Sequence, residues 1–298
     1  MVWDSVLNEL TEKRDELRRA ADKVYIVNAG VVNHGKSSLF NSLLGEGEVF
    51  RERGSRETAV SQIEAYCQNA YFVDTPGLNA DEHNEAEICG IYEKAGFILF
   101  VHNSKTGELQ RQEIEHLQII ADAVGADYFW KHVVVVLTFA EDLDAEQTAE
   151  LQTKIEKTVF RQCKKKIRVF SVSNACFAAA RLGSDLERKS LDLERSGIPE
   201  LQKYLTSHIA QWQREHTRLQ EEKFRKARQS ALSKINLQRD GICLKIDRRK
   251  AEFCKADSLD AAAVRSREQI LRDDIRNYEE ELRKSDSVLR KINDMRLQ

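Results

Sequence analysis

The sequence predicts an α/β domain on a largely parallel sheet with one antiparallel edge strand, flanked by helices from both chain ends that form a bundle. Three observations carry that prediction. Short apolar runs alternate with helix-periodic stretches from Val24 to about Ala210. A glycine-containing turn, Gly30 to Gly35, joins the first apolar run to the first periodic one. Beyond Pro199 there is no proline, and beyond Gly197 a single glycine, Gly241, which is the composition of long helices.

Residues 3–21 place Trp3, Val6, Leu7, Leu10, Leu17 and Ala21 at three- and four-residue spacing with charges between them, an amphipathic helix. So short a helix is marginal alone in water, and the tail is its expected partner. The expected strands are Val24–Asn28, Gln62–Cys67, Ala70–Val73, Phe97–His102, His132–Thr138 and Ile167–Val172. Helices are expected from Ser37, on the spacing of Leu39, Phe40, Leu43 and Leu44, and over Glu108–Val124 and Ala145–Cys163. The short connection Gln68–Asn69 suits a hairpin, so the second and third strands should run antiparallel.

In the tail, Leu232, Ile235, Ile242, Ile246 and Phe253 keep helical spacing, and Arg239 and Arg249 fill the missing seam places. Gly241 lies off the seam and should weaken the helix by about 1 kcal/mol without ending it. After a break near 256–258, Leu271, Ile275, Tyr278, Leu282, Leu289 and Ile292 resume the pattern. An antiparallel helical hairpin completed by residues 3–21 follows. The expected divisions are 1–21, 22–210 and 211–298. The pattern is still running at Arg296-Leu297-Gln298, which is compatible with a piece of a longer protein.

Composition narrows the setting. Hydrophobic residues make up 41% and charged residues 32% of the 298, the balance of a protein with much exposed helix. No run approaches a membrane span, and the charged N-terminus lacks the apolar core of a secretion signal. The six cysteines show no C-x-x-C spacing, so they read as reduced thiols in a cytoplasmic protein. Residues 211–298 hold 22 Lys+Arg against 16 Asp+Glu, a balance of +6, which leaves −8 for residues 1–210. A basic tail faces either an acidic partner or its own acidic domain.

Gly30, Gly35, Lys36 and Ser37 satisfy G-x-x-x-x-G-K-[ST] between a strand and a helix, the context that makes a P-loop. Its backbone N–H groups and helix N-terminus, including His34 and Ser38, form an anion cradle. Lys36 belongs on the β- and γ-phosphates, and the Ser37 hydroxyl in a Mg2+ shell. Residues 71–77, YFVDTPG, put Asp74 at a strand end, suited to supporting that Mg2+, and the Gly77 amide where a γ-phosphate needs a donor. Thr58, in the polar segment before the second strand, is placed to close over the metal. Residues 133–142, VVVVLTFAED, run a buried strand from Val133 through Thr138 into two acids, Glu141 and Asp142, where a guanine-reading carboxylate belongs. Ser173 and Asn174 follow the last strand, where an amide can meet the base O6.

The text GVVNHGKSSLFNSLLG, then DTPGL, FILFVHNSKTGELQRQEIEHL and SGIPELQKYL, resembles the translation-factor-class P-loop GTPases of the TrmE–Era–septin group, most closely the bacterial dynamin-like GTPases. The resemblance covers roughly residues 22–210. It implies GTP and GDP as ligands, GTP hydrolysis, GTP-dependent homodimers through the nucleotide domains, and a neck made of the terminal helices. In relatives with G-x-x-N-x-G-K-S the asparagine helps hold a potassium ion; here that residue is Asn33. Leu78 stands where other small GTPases carry a water-orienting glutamine. The family's Asn/Thr-Lys-x-Asp is replaced by Thr138-Phe139-Ala140-Glu141-Asp142, so either acid is placed to read guanine, and relaxed base specificity is an alternative.

Three functional readings follow. The first is a GTP hydrolase whose nucleotide state reaches the helical tail. The second is a slow switch that recruits a protein or membrane-surface partner through that tail. The third is an Era-like GTPase binding RNA through the basic clusters 223–228 and 248–250.

Overall fold

The computed structural model describes residues 2–45, 49–50, 62–67, 69–75, 85–183, 185–254 and 261–297. The chain forms two compact units, Asp22–His216 and Met1–Ala21 with Thr217–Gln298.

The first unit is built on six strands: β1 (Val24–Ala29), β2 (Gln62–Cys67), β3 (Ala70–Asp74), β4 (Ala95–Asn103), β5 (Val133–Thr138) and β6 (Arg168–Ser171). Their order is β2-β3-β1-β4-β5-β6. Every neighbouring pair is parallel except β2 with β3, so the expected antiparallel edge is present. Its helices are α2 (Lys36–Leu44), α3 (Glu85–Tyr92), α4 (Arg111–Val124), α5 (Ala126–Phe129), α6 (Ala145–Cys163), α7 (Asn174–Leu182), α8 (Leu186–Arg195) and the start of α9 (Ile198–Cys254).

Alternation along the strands divides the core. Ile98 and Phe100 of β4 face α4 and α6, packing with Ile114, Leu117, Ile120, Ile155 and Val159. Phe97 and Leu99 face the other way, toward Leu39, Phe40 and Leu43 of α2 and Ile198, Leu201 and Leu205 of α9. With helices on both faces, β5 is buried at every position, which is why it reads as an unbroken apolar run. The strand order reverses at β1, and a crevice beyond the carboxyl ends at such a reversal is where parallel sheets bind ligands.

The expected elements recur with shifted ends. The helix expected from Glu108 begins at Arg111, because Glu113 Oε2 accepts the Gln110 N–H at 2.9 Å and caps the first turn there. The helices α3, α5, α7 and α8 were not anticipated. α8 buries none of its residues, and Leu186 and Leu191 are exposed.

In the second unit α1 (Val2–Ala21), the rest of α9 and α10 (Ala261–Asp294) share one core. Trp3, Val6, Leu10 and Leu17 pack with Phe224, Ile235, Ile242, Ile246, Val288 and Ile292. The long helices run antiparallel. Arg228 bonds to the Met295 carbonyl, Arg239 pairs with Asp286 at 2.6 Å, and Arg249 pairs with Asp274 at 3.1 Å. α9 continues through Gly241, around which a side chain would find open space. The expected break at 256–258 lies outside the described residues. Among the described residues no helix is long and apolar enough to cross a membrane.

Candidate nucleotide site

β1 delivers Gly30 to the end of the sheet and α2 starts at Lys36. Gly30 has φ 139°, and a Cβ there would stand 2.2 Å from the Val101 carbonyl oxygen. Only glycine lets the loop pass β4 so closely. Gly35 caps α2 in the left-handed region, and Asn33 in the loop has φ 64°, a conformation asparagine tolerates better than most residues. Lys36 is buried, and its Nζ donates to the Gly30 and Val31 carbonyls at 3.3 and 3.0 Å. Burial pulls its pKa down to about 8, against an opposing pull from Asp74. Ser38 follows in the first turn of α2.

The Ser37 hydroxyl donates to Asp74 Oδ2 at 2.7 Å, while the Asn28 amide donates to Oδ1. Asn28 is itself fixed, because its Oδ1 accepts the Thr75 N–H at 2.9 Å and its carbonyl accepts the Thr75 hydroxyl at 2.8 Å. Asp74 is thus held from both sides. A hydroxyl and a carboxylate in contact are hard oxygen donors, which is the chemistry Mg2+ takes. Thr58 and Gly77 lie outside the described residues.

At the end of β5, Thr138 is buried and its hydroxyl donates to the His34 carbonyl at 2.7 Å and the His102 carbonyl at 3.1 Å. It ties the segment after β5 to the phosphate loop. Phe139 has φ 56°, and its carbonyl accepts from the Ser104 hydroxyl at 2.8 Å. Asp142 is exposed and paired with Lys105 at 2.7 Å. Glu141 differs: its Oε2 is buried without a hydrogen-bond partner. So is Oδ1 of Asn174, after the neighbouring strand β6. Ala140 N–H donates to the Val172 carbonyl at 3.2 Å and joins the two segments. The Ser173 hydroxyl caps α7 by accepting the Cys176 N–H at 3.0 Å.

Beneath the loop, the His34 ring meets the His102 ring edge to face at 5.7 Å, and Glu113 stands beside both. Burial lowers the His34 pKa, with Glu113 opposing. Sequence reasoning missed His102, Glu113, Asn28 and Lys105. Asn28 alone carried a signal, as an amide at the end of a buried strand.

Residues 25–167 match the family model described as 50S ribosome-binding GTPase. This segment is a P-loop GTPase domain. The GTPase domain binds and hydrolyses GTP. No curated protein matches the sequence. Among solved structures, a dimerization-deficient mutant of Toc33 from Arabidopsis thaliana is 20% identical over 70% of this chain and 92% of its own, with a TM-score of 0.50. A chain of an oligomerised bacterial dynamin pair is 16% identical over 85% of this chain, with a TM-score of 0.53. This protein spans about half (49%) of that dynamin chain's length. Both likenesses are of fold.

Proposed function

We propose that the protein is a nucleotide-state switch in which the GTPase domain pairs with a second copy when GTP is bound, and in which hydrolysis alters the helical unit. The observation that supports it most is that the phosphate loop, with Lys36 and the Ser37–Asp74 contact, is joined by the Thr138–His34 hydrogen bond to the segment that carries the unpartnered Glu141 oxygen.

In this reading Lys36 leaves the loop carbonyls for the β- and γ-phosphates and regains a full charge there. Ser37 would hold Mg2+ and Asp74 would support it, and the metal would supply charge neutralisation to the phosphates. Glu141 accepts the N1–H and N2–H₂ edge of guanine, and the segment at Ser173 and Asn174 meets O6. Asn33, exposed at the loop tip, would take a potassium ion whose charge replaces an arginine finger. Thr58 and Gly77 would close on the γ-phosphate. The dimer reading leans on the Toc33 mutant, which is named for its loss of dimerization. The dynamin-like reading leans on the fold likeness to the bacterial dynamin chain.

A second reading, recruitment of a partner by the helical unit, is favoured by the exposure of Leu237, Leu244 and Ile270. Competitive binding of GTP, GDP and ATP, followed by turnover in potassium and in sodium, separates the readings. Selective GTP binding with steady turnover supports the hydrolase switch. Tight retention with very slow turnover supports recruitment. Equal binding of ATP sinks the assignment of Glu141.

A further inference from the structure

Three side chains from separate elements meet behind the phosphate loop: His34 of the loop, His102 of β4 and Glu113 of α4. His102 Nδ1 lies 2.8 Å from Glu113 Oε1, and His34 Nδ1 lies 3.6 Å from the same oxygen. One ligand atom from each residue lies within 4.8 Å of the other two. All three residues are buried, at 9%, 0% and 1% exposure.

The other ring nitrogens decide what this cluster asks for. His102 Nε2 faces the Gly107 carbonyl at 2.8 Å. A carbonyl only accepts, so Nε2 carries the proton. His34 Nδ1 is buried without a hydrogen-bond partner. A neutral His34 ring protonated at Nε2 presents a lone pair there. Two such lone pairs and a carboxylate oxygen facing one another repel unless a cation lies among them.

A proton on His102 Nδ1 relieves one contact and leaves His34 Nδ1 orphaned. A metal ion relieves all of them. Histidines whose far N–H is fixed by a backbone carbonyl are the arrangement found around bound metals. Tetrahedral ligands at about 2.0–2.1 Å from zinc stand roughly 3.3 Å apart, a spacing bracketed by the observed 2.8 and 3.6 Å. Two imidazoles and one carboxylate suit zinc and its neighbours, whereas magnesium prefers oxygen alone.

We infer that His34 Nδ1, His102 Nδ1 and Glu113 Oε1 form a site for a divalent transition metal of the zinc class, separate from the Ser37–Asp74 position. An ion there pins the phosphate loop to β4 and α4.

The test is titration of the chelator-stripped, nucleotide-free, full-length protein with zinc against a chromophoric chelator, repeated with cobalt. One equivalent per chain is expected. The cobalt spectrum should show d–d bands and no sulfur-to-cobalt charge-transfer band. His34→Ala and Glu113→Gln should each weaken zinc binding by at least about tenfold, with folding checked by circular dichroism. Three results overturn the site: no stoichiometric zinc, a charge-transfer band that places the ion on cysteine, or a folded His34→Ala protein that binds zinc as tightly as the parent. Should either variant not fold, the cobalt spectrum of the parent decides.

Discussion

Lys105 Nζ lies 2.7 Å from Asp142 Oδ2 and 5.5 Å from the centroid of the Phe139 ring. Asp142 is therefore answered by the protein itself, while its neighbour Glu141 keeps a buried oxygen without a partner. In the proposed reading Glu141, rather than Asp142, accepts from the base. Glu141→Gln should cut GTP affinity by at least about tenfold, the scale of a hydrogen bond to a charged group. Asp142→Asn should change it by less than about threefold, because an exposed pair contributes little. Competition between GTP and ATP reads both variants, and the opposite order would transfer the role to Asp142.

Lys36→Ala should lower nucleotide affinity by about a hundredfold or more, through loss of a buried charge aimed at phosphate. Its fold should survive, since among the described residues Nζ bonds to the Gly30 and Val31 carbonyls of its own loop. Isothermal titration with GTP and GDP checks this. Unchanged affinity would remove the phosphate site from residues 30–37.

Asn33→Ala should abolish any stimulation of turnover by potassium over sodium. It should also cost a little stability, because alanine is less at ease than asparagine at φ 64°. Parent turnover that is equal in the two salts ends the potassium proposal outright.

The pH dependence of folding should carry the mark of His116. Burial, with a smaller push from Lys36, lowers its pKa from 6.5 to about 4, and its Nε2 stands 3.4 Å from the Tyr92 hydroxyl. Between those values the unfolded chain takes up a proton that the folded one refuses. The stability tied to this residue is thus complete above about pH 6.5 and is lost as pH falls toward 4. Urea midpoints measured from pH 7 to about 4.5 should fall less steeply for His116→Gln, by up to roughly one proton's worth of slope. Parallel slopes would show that His116 is protonated in the folded state.

Much of the fold was legible because its cause is local. The buried runs of β4 and β5, the glycines of the phosphate loop and the two-residue link before β3 each announce their structure within a few residues. Even the seam arginines were visible as gaps in an apolar spacing. What stayed hidden depends on partners far along the chain. The pairing that sets Asp142 apart from Glu141 comes from Lys105, beyond the end of another strand. The meeting of His34, His102 and Glu113 requires β1 and β4 to be adjacent, which no spacing encodes. α8 was missed too, and it buries nothing, so its leucines mark no core face.

Arg239 and Arg249 bring one last consequence. Each interrupts an apolar seam, and each finds one aspartate on the opposing helix, Asp286 or Asp274. Leucines in their places would grip at least as well, yet they would grip almost equally well one turn up or down. In this alignment of the hairpin both arginines reach an aspartate across the seam, and replacing both by leucine is expected to loosen the choice of alignment more than the grip.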